Sequence, residues 1–270
     1  MKKFFAAILL VLLCACAFAN PDFTMGKWYN SFKSESYRCS VRFGENKTVE
    51  FSEGIDYPFG HDFWDKTYKY TAKGGKGMYE IVLDNGMKFN ALVSRHYLVL
   101  YEQEKTEPFF IGGVGISVEA IGLTDTFEAS SFLTEKNKSY KPENLKNLNL
   151  DSPWVEGAKG YGIGEKITFK TYLGFGIAFF SGYISFRNPS LYEKNARVKK
   201  LRLTCVETKN FIEVSLEDTA GGQQIDLSDL FQDEKRGGMT IQMEILDVYK
   251  GTKYADTCVN SILEGFSRLE

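Results

Sequence analysis

Residues 154–165 read Trp154-Val155-Glu156-Gly157-Ala158-Lys159-Gly160-Tyr161-Gly162-Ile163-Gly164-Glu165. Four glycines in eight residues, bracketed by two acids, lose much chain entropy on ordering. Such a run is explained by turns with positive φ, or by close approach of the backbone to a ligand or another strand. Around it lie strand-like stretches at 163–171, 175–186, 198–206, 211–216 and 239–249. Alternation is plainest where Leu201, Leu203 and Cys205 face one way and Arg202 and Thr204 the other. Ile212, Val214 and Leu216 repeat it against Glu213, Ser215 and Glu217. One buried face and one wet face is what an antiparallel sandwich sheet requires.

Upstream, a second strand-rich block occupies 27–32, 37–43, 48–51, 67–71, 78–83, 87–93 and 97–101. Gly74-Gly75-Lys76-Gly77 turns the chain, and Asn85-Gly86 is a strong hairpin signal. Up to eight short strands in fewer than ninety residues predict a small barrel or meander. Gly112-Gly113-Val114-Gly115 breaks that pattern, and the polar stretch 135–149 holds no clean strand. No sustained helical periodicity and no internal repeat is present. The expected organisation is a leader at 1–19, a β-domain at 20–113, a linker at 114–124 and a β-sandwich at 125–270. The two β-domains are expected to fold independently.

The leader has a charged start at Lys2 and Lys3 and a short apolar run from Phe4 to Leu13, as secretory signals do. Two processing routes overlap. Ala17-Phe18-Ala19 before Asn20 suits signal peptidase, whereas Leu13-Cys14-Ala15-Cys16 suits a bacterial lipobox in which Cys16 is lipidated. Export to periplasm, cell surface or medium is expected, lipid-anchored by the second route. Thirty-three basic against 35 acidic residues imply no basic face, so nucleic acid is a poor partner. No further apolar stretch is long enough for a helical membrane span. Cys39, Cys205 and Cys258 remain after cleavage by the first route. If two of them pair, Cys205 and Cys258 are expected to, since the chain should return to the strand of Cys205 near its end.

Catalytic and metal signatures are scarce. The two histidines, His61 and His96, sit in no metal-binding spacing, and there is no C-x-x-C pair. No nucleophile elbow or phosphate-cradling loop is present. Cys39 and His96 read as structural residues and not as a nucleophile and base. Glu156 and Glu165 are the best carboxylate pair for a glycosidase, although hydrogen bonding within a turn-rich loop is the simpler role. The expectation is a non-enzyme without cofactor or metal.

Ala129-Ser130-Ser131, then Tyr140-x-x-x-Asn144-Leu145, then the Trp154 run resemble the discoidin, or coagulation-factor type C, pattern. More narrowly, 125–270 resembles the bacterial NAD glycohydrolase translocation, or NADase-type glycan-binding, domain. The W-V-E-G and G-x-G-I-G-E core, Gly182-Tyr183, Asn195-x-Arg197 and the closing Val248-Tyr249-Lys250-Gly251-Thr252-Lys253-Tyr254-Ala255-Asp256-Thr257 carry that likeness. Ser181 and Lys166 depart from it, where Asn and Trp are expected. The first block opens Met25-Gly26-Lys27-Trp28, similar to the G-x-W start of lipocalin-like barrels. The resemblance implies an all-β chain: a lipocalin-like barrel or meander, then a discoidin-like (galactose-binding-like) jelly-roll sandwich.

It also implies binding of carbohydrate through loops at one sandwich end; NAD glycohydrolase activity is not implied, because the likeness is to the translocation domain and not to the catalytic one. The expected ligand-binding residues are Trp154, Glu156, Tyr161 and Glu165 on one loop, with Tyr192, Asn195 and Arg197 on a second. The alternatives are a structural or adhesin-like envelope protein that binds another protein, and a glycosidase.

Overall fold

The computed structural model describes residues 23, 26–31, 39–52, 65–114, 126–171, 176–231 and 238–264. The leader with Cys16, His61, the 115–124 part of the linker and Asp125 lie outside the described residues. The chain is all-β, with one five-residue α-helix among the described residues.

Eight strands build the first domain: β1 Trp28–Ser31, β2 Ser40–Gly44, β3 Thr48–Ser52, β4 Lys66–Gly75, β5 Met78–Leu83, β6 Lys88–Val93, β7 Tyr97–Glu102 and β8 Phe110–Val114. Each pairs antiparallel with the next, and β8 returns to β1 with Asn30 opposite Gly113, closing a barrel. Gly112 and Gly113, read as a break in the strand pattern, and Val114, placed in the linker, are therefore strand residues, because closure brings β1 alongside them. Gly74 and Gly75 likewise belong to β4, and the turn shrinks to Lys76-Gly77. At Asn85-Gly86 only Gly86 takes positive φ, +88°. Eight strands leave an interior that side chains can fill, and rings fill this one. Phe43 and Tyr70 lie 5.2 Å apart and Phe51 and Phe89 6.1 Å apart, both edge-to-face.

The second domain contains β9 Phe127–Ala129, β10 Thr134–Glu135, β11 Lys138–Ser139, β12 Trp154–Val155, β13 Lys166–Thr171, β14 Gly176–Ser181, helix α1 Ser190–Lys194, β15 Ala196–Cys205, β16 Phe211–Ser215, β17 Gln223–Asp226, β18 Met239–Tyr249 and β19 Thr257–Glu264. The main sheet runs β17-β14-β19-β15-β18-β13-β9, with β12 added on β19 and β16 on β15. Its pairings are antiparallel except a short parallel contact of Ala196 and Arg197 with Thr257 and Cys258. Leu201, Leu203 and Cys205 do face one buried core, together with Trp154, Ile167, Phe179, Ile245 and Ile262. The 135–149 stretch holds the β10–β11 hairpin and a 3-10 turn, Pro142–Lys146, that buries Leu145.

Cys205 and Cys258 do not pair; both are free and buried. Cys258 sits opposite Arg197, eight residues along β15 from Cys205. That is roughly 25 Å at about 3.3 Å per residue, far beyond the roughly 7 Å limit for a disulfide. The chain does return to that sheet, but beside the wrong end of the strand.

Among the described residues no sheet takes strands from both domains. The domains nevertheless share a core. Leu92, Tyr97, Val99 and Tyr101, on the outer faces of β6 and β7, pack with Ala178, Phe180, Ile184 and Leu263 of the sandwich. Polar contacts cross the same junction. Tyr101 donates from its hydroxyl to the Leu148 carbonyl at 2.8 Å, and Ser94 Oγ to the Gly222 carbonyl at 2.6 Å. The Ala220 amide donates to the Lys76 carbonyl at 2.8 Å.

Candidate functional site

The glycine-rich loop is explained by the fold itself. Gly160, Gly162 and Gly164 take positive φ, and a Cβ on Gly157 would lie 2.5 Å from the Phe132 carbonyl oxygen. Its acids are held from nearby. Glu165 accepts hydrogen bonds from the hydroxyls of Ser130 (2.6 Å) and Ser131 (2.5 Å), and Ser131 Oγ accepts from the Gly157 amide at 2.9 Å. Glu156 is fully buried and accepts from the Ala158 amide at 2.7 Å and the Thr257 amide at 3.4 Å. Burial raises its pKa, against the pull of those two amides. Trp154 is a core residue whose indole N–H donates to the Ser131 carbonyl at 3.0 Å, so it has no free face for a sugar. Tyr161 is half-buried beneath the Lys250 ammonium, 5.5 Å from the ring centre.

The second expected segment is also inward. Tyr192 is buried, with the Arg197 guanidinium 5.2 Å from its ring centre. Asn195 donates from its side chain to the Leu191 carbonyl at 2.9 Å. Arg197 is buried and forks onto Asp218, with Nε to Oδ1 and Nη2 to Oδ2 both 2.9 Å. Burial works against both ions. The paired bonds outweigh it, so the Arg197 pKa is raised and that of Asp218, which also holds Lys76, is lowered. Glu156 and Arg197 are thus both buried but satisfied by different partners.

The two segments do converge, flanking the start of β19: Val155 and Arg197 both register with Cys258. Beside that point lies an open hollow of about 230 Å³, lined by Tyr140, Tyr183, Tyr254, Glu135, Asp256 and Asn195 over an apolar floor. Of the seven expected residues only Asn195 reaches it. Tyr140 and Tyr183 meet edge-to-face at 6.2 Å. The Lys138 ammonium stands 4.7 Å from the Tyr140 ring centre and 3.2 Å from the Tyr183 hydroxyl, anchored on the Asp151 carbonyl. Burial, then the proximity of the two phenols, raises the Tyr140 pKa, and burial raises that of Tyr183. Both are neutral donors at physiological pH. Tyr254 is 37% exposed at the rim.

These residues stand inside the very motifs that mark the chain. Tyr140 opens Tyr140-x-x-x-Asn144-Leu145, Tyr183 completes Gly182-Tyr183, and Tyr254 and Asp256 belong to the closing run. The sequence pointed to Tyr161 and Tyr192 as the site's tyrosines and left Tyr140, Tyr183 and Tyr254 aside.

The described residues thus form a closed barrel followed by a discoidin-like sandwich that carries an aromatic hollow. Residues 119–264 match the family described as NAD glycohydrolase translocation F5/8 type C domain, and the chain belongs to that family. Comparison with curated proteins returns no match.

Proposed function

We propose that the protein is an exported, non-catalytic carbohydrate-binding protein, with the Tyr140–Tyr183–Tyr254 hollow as its primary site. The observation that carries this is the meeting of three tyrosines with Glu135, Asp256 and the Asn195 amide around one small cavity. Ring faces suit the apolar side of a sugar, and planar polar groups suit its hydroxyls. Membership of a discoidin-like family supports binding as the general role. Export is supported by the charged, then apolar, then small-residue leader, with Cys16 as the anchoring point of the lipidated alternative. Glu156 and Glu165 are occupied by hydrogen bonds from the Ala158 and Thr257 amides and the Ser130 and Ser131 hydroxyls, which favours binding over glycoside hydrolysis.

The test is a glycan array on the mature chain, followed by titration of the hits. Tyr254→Ala is expected to weaken binding by about tenfold or more, with the melting temperature unchanged because the ring is at the surface. Asp256→Asn should weaken it also. Unchanged affinity in both folded variants would move the site elsewhere.

A further inference from the structure

Where the barrel meets the sandwich, the seam opens into a larger hollow of about 560 Å³, well within the size range of small-ligand sites. Lys73, Gly75, Glu80 and Asn90 of the barrel form one wall, and Phe186 of the sandwich stands in the other. A smaller hollow of about 130 Å³ shares Glu80, Asn90 and Phe186 and extends the seam past Gln103. The walls are fixed in advance. The shared apolar cluster lies beneath them, and Lys76 ties the β4–β5 turn to Asp218 at 2.9 Å and to Glu193 at 3.1 Å.

The chemistry of the seam selects a class of ligand. Lys76 is neutralised by its two acids, and Lys73 stands opposite Glu80 in the β4–β5 register, so charge is balanced and an anion gains little. Phe186 is half-buried, packs on Tyr101 at 6.2 Å and borders both hollows. Around it are planar polar groups: half-buried Asn90, and Gln103 donating to Glu80 at 3.2 Å. A ring face edged by amides and a carboxylate fits a sugar ring edged by hydroxyls. Gly75 adds an independent indication. Its φ is not left-handed, and no heavy atom lies within 4 Å of the place a Cβ would take. The fold does not demand a glycine there, and a larger residue would narrow the hollow.

We infer that this junction seam is a second carbohydrate site, taking a neutral oligosaccharide with one ring on Phe186 and its neighbours along the seam. It uses residues of both domains, shares none with the tyrosine hollow, and stands or falls separately from it.

The experiment compares the mature chain with Gly75→Trp, Asn90→Ala and Tyr254→Ala on an array of neutral and sialylated oligosaccharides and on a peptide library, with melting curves for each. A set of neutral oligosaccharides is expected to survive Tyr254→Ala and to lose about tenfold or more in affinity in folded Gly75→Trp and Asn90→Ala. Neutral-glycan signals that vanish with Tyr254→Ala and ignore both junction variants would overturn the junction site and leave the tyrosine hollow standing. Signals sensitive only to the junction variants would do the reverse. Sialylated glycans or peptides as the sole ligands sensitive to Gly75→Trp would overturn the neutral-sugar assignment, and so would an array without neutral hits. If Gly75→Trp melts early, Asn90→Ala decides alone.

Discussion

Gly162 shows how tightly the marked loop is built around its own acids. Its φ is +64°, and a Cβ there would lie 2.6 Å from Glu156 Cγ and 2.9 Å from Cδ. Gly162→Ala therefore adds left-handed strain and pushes a buried carboxylate off its amides; a loss of about 1–3 kcal/mol is expected in chemical denaturation. A variant as stable as the parent would show that Glu156 can yield, and that the glycine serves something other than the fold. Asp218 is the other critical residue, because buried Arg197 depends on it. Its folded pKa lies below the ordinary 3.8, so its contribution is complete above that value and is lost as pH falls through the lower folded one. Asp218→Asn leaves the guanidinium without its counter-charge and should cost about 3–5 kcal/mol at neutral pH. The penalty should shrink on acidification, as the parent loses what the variant already lacks. Equal penalties at about pH 7 and about pH 3 would exclude this linkage.

At the scale of strands, alternation decided what could be read in advance. The β15 and β16 faces were legible because one side of each is wet, so Leu201, Leu203 and Ile212 separate cleanly from Arg202 and Glu213. β7 and β14 are different. Tyr97-Leu98-Val99-Leu100-Tyr101 and Ile177-Ala178-Phe179-Phe180 are apolar at every position, the pattern of a strand covered on both faces. Leu98 and Leu100 fill the barrel and Ile177 and Phe179 the sandwich, while the residues between them form the junction. The run without alternation was thus the available sign that the domains touch. β19 was expected only as a return of the chain to this sheet, and its extent was not legible, for the opposite reason. Asn260 and Ser261 interrupt its apolar residues, yet both are buried and donate to the carbonyls of Asn149 and Leu145. The candidate site was half legible. Motif order placed Tyr140, Tyr183 and Tyr254 on the page, but which side chains face outward depends on the register of β12 and β15 against β19, which no local pattern reports.

For the whole molecule, the junction decides whether this is two domains on a string or one cooperative body. Separate sheets favour the first view, and the shared cluster favours the second. Tyr97, Tyr101 and Phe180 are each almost fully buried, and aromatic side chains bury about 150–250 Å² apiece. Splitting the chain within 115–125 would therefore bare an apolar patch of several hundred Å² on each half, the scale at which solitary domains become adhesive. It would also remove Lys76 from Asp218, although Arg197 would stay. The expected outcome is that neither half alone is a well-behaved monomer. Each should bind a hydrophobic dye or aggregate, and mixing the two should recover a soluble one-to-one complex that melts in a single transition. Phe180→Asp in the intact chain should reproduce the defect without any cut, because it places a charge against Tyr97, 6.3 Å away. An isolated 126–270 fragment that is monomeric, dye-silent and as heat-stable as the intact chain would show that the sandwich completes its own core and that the barrel is an attachment to it.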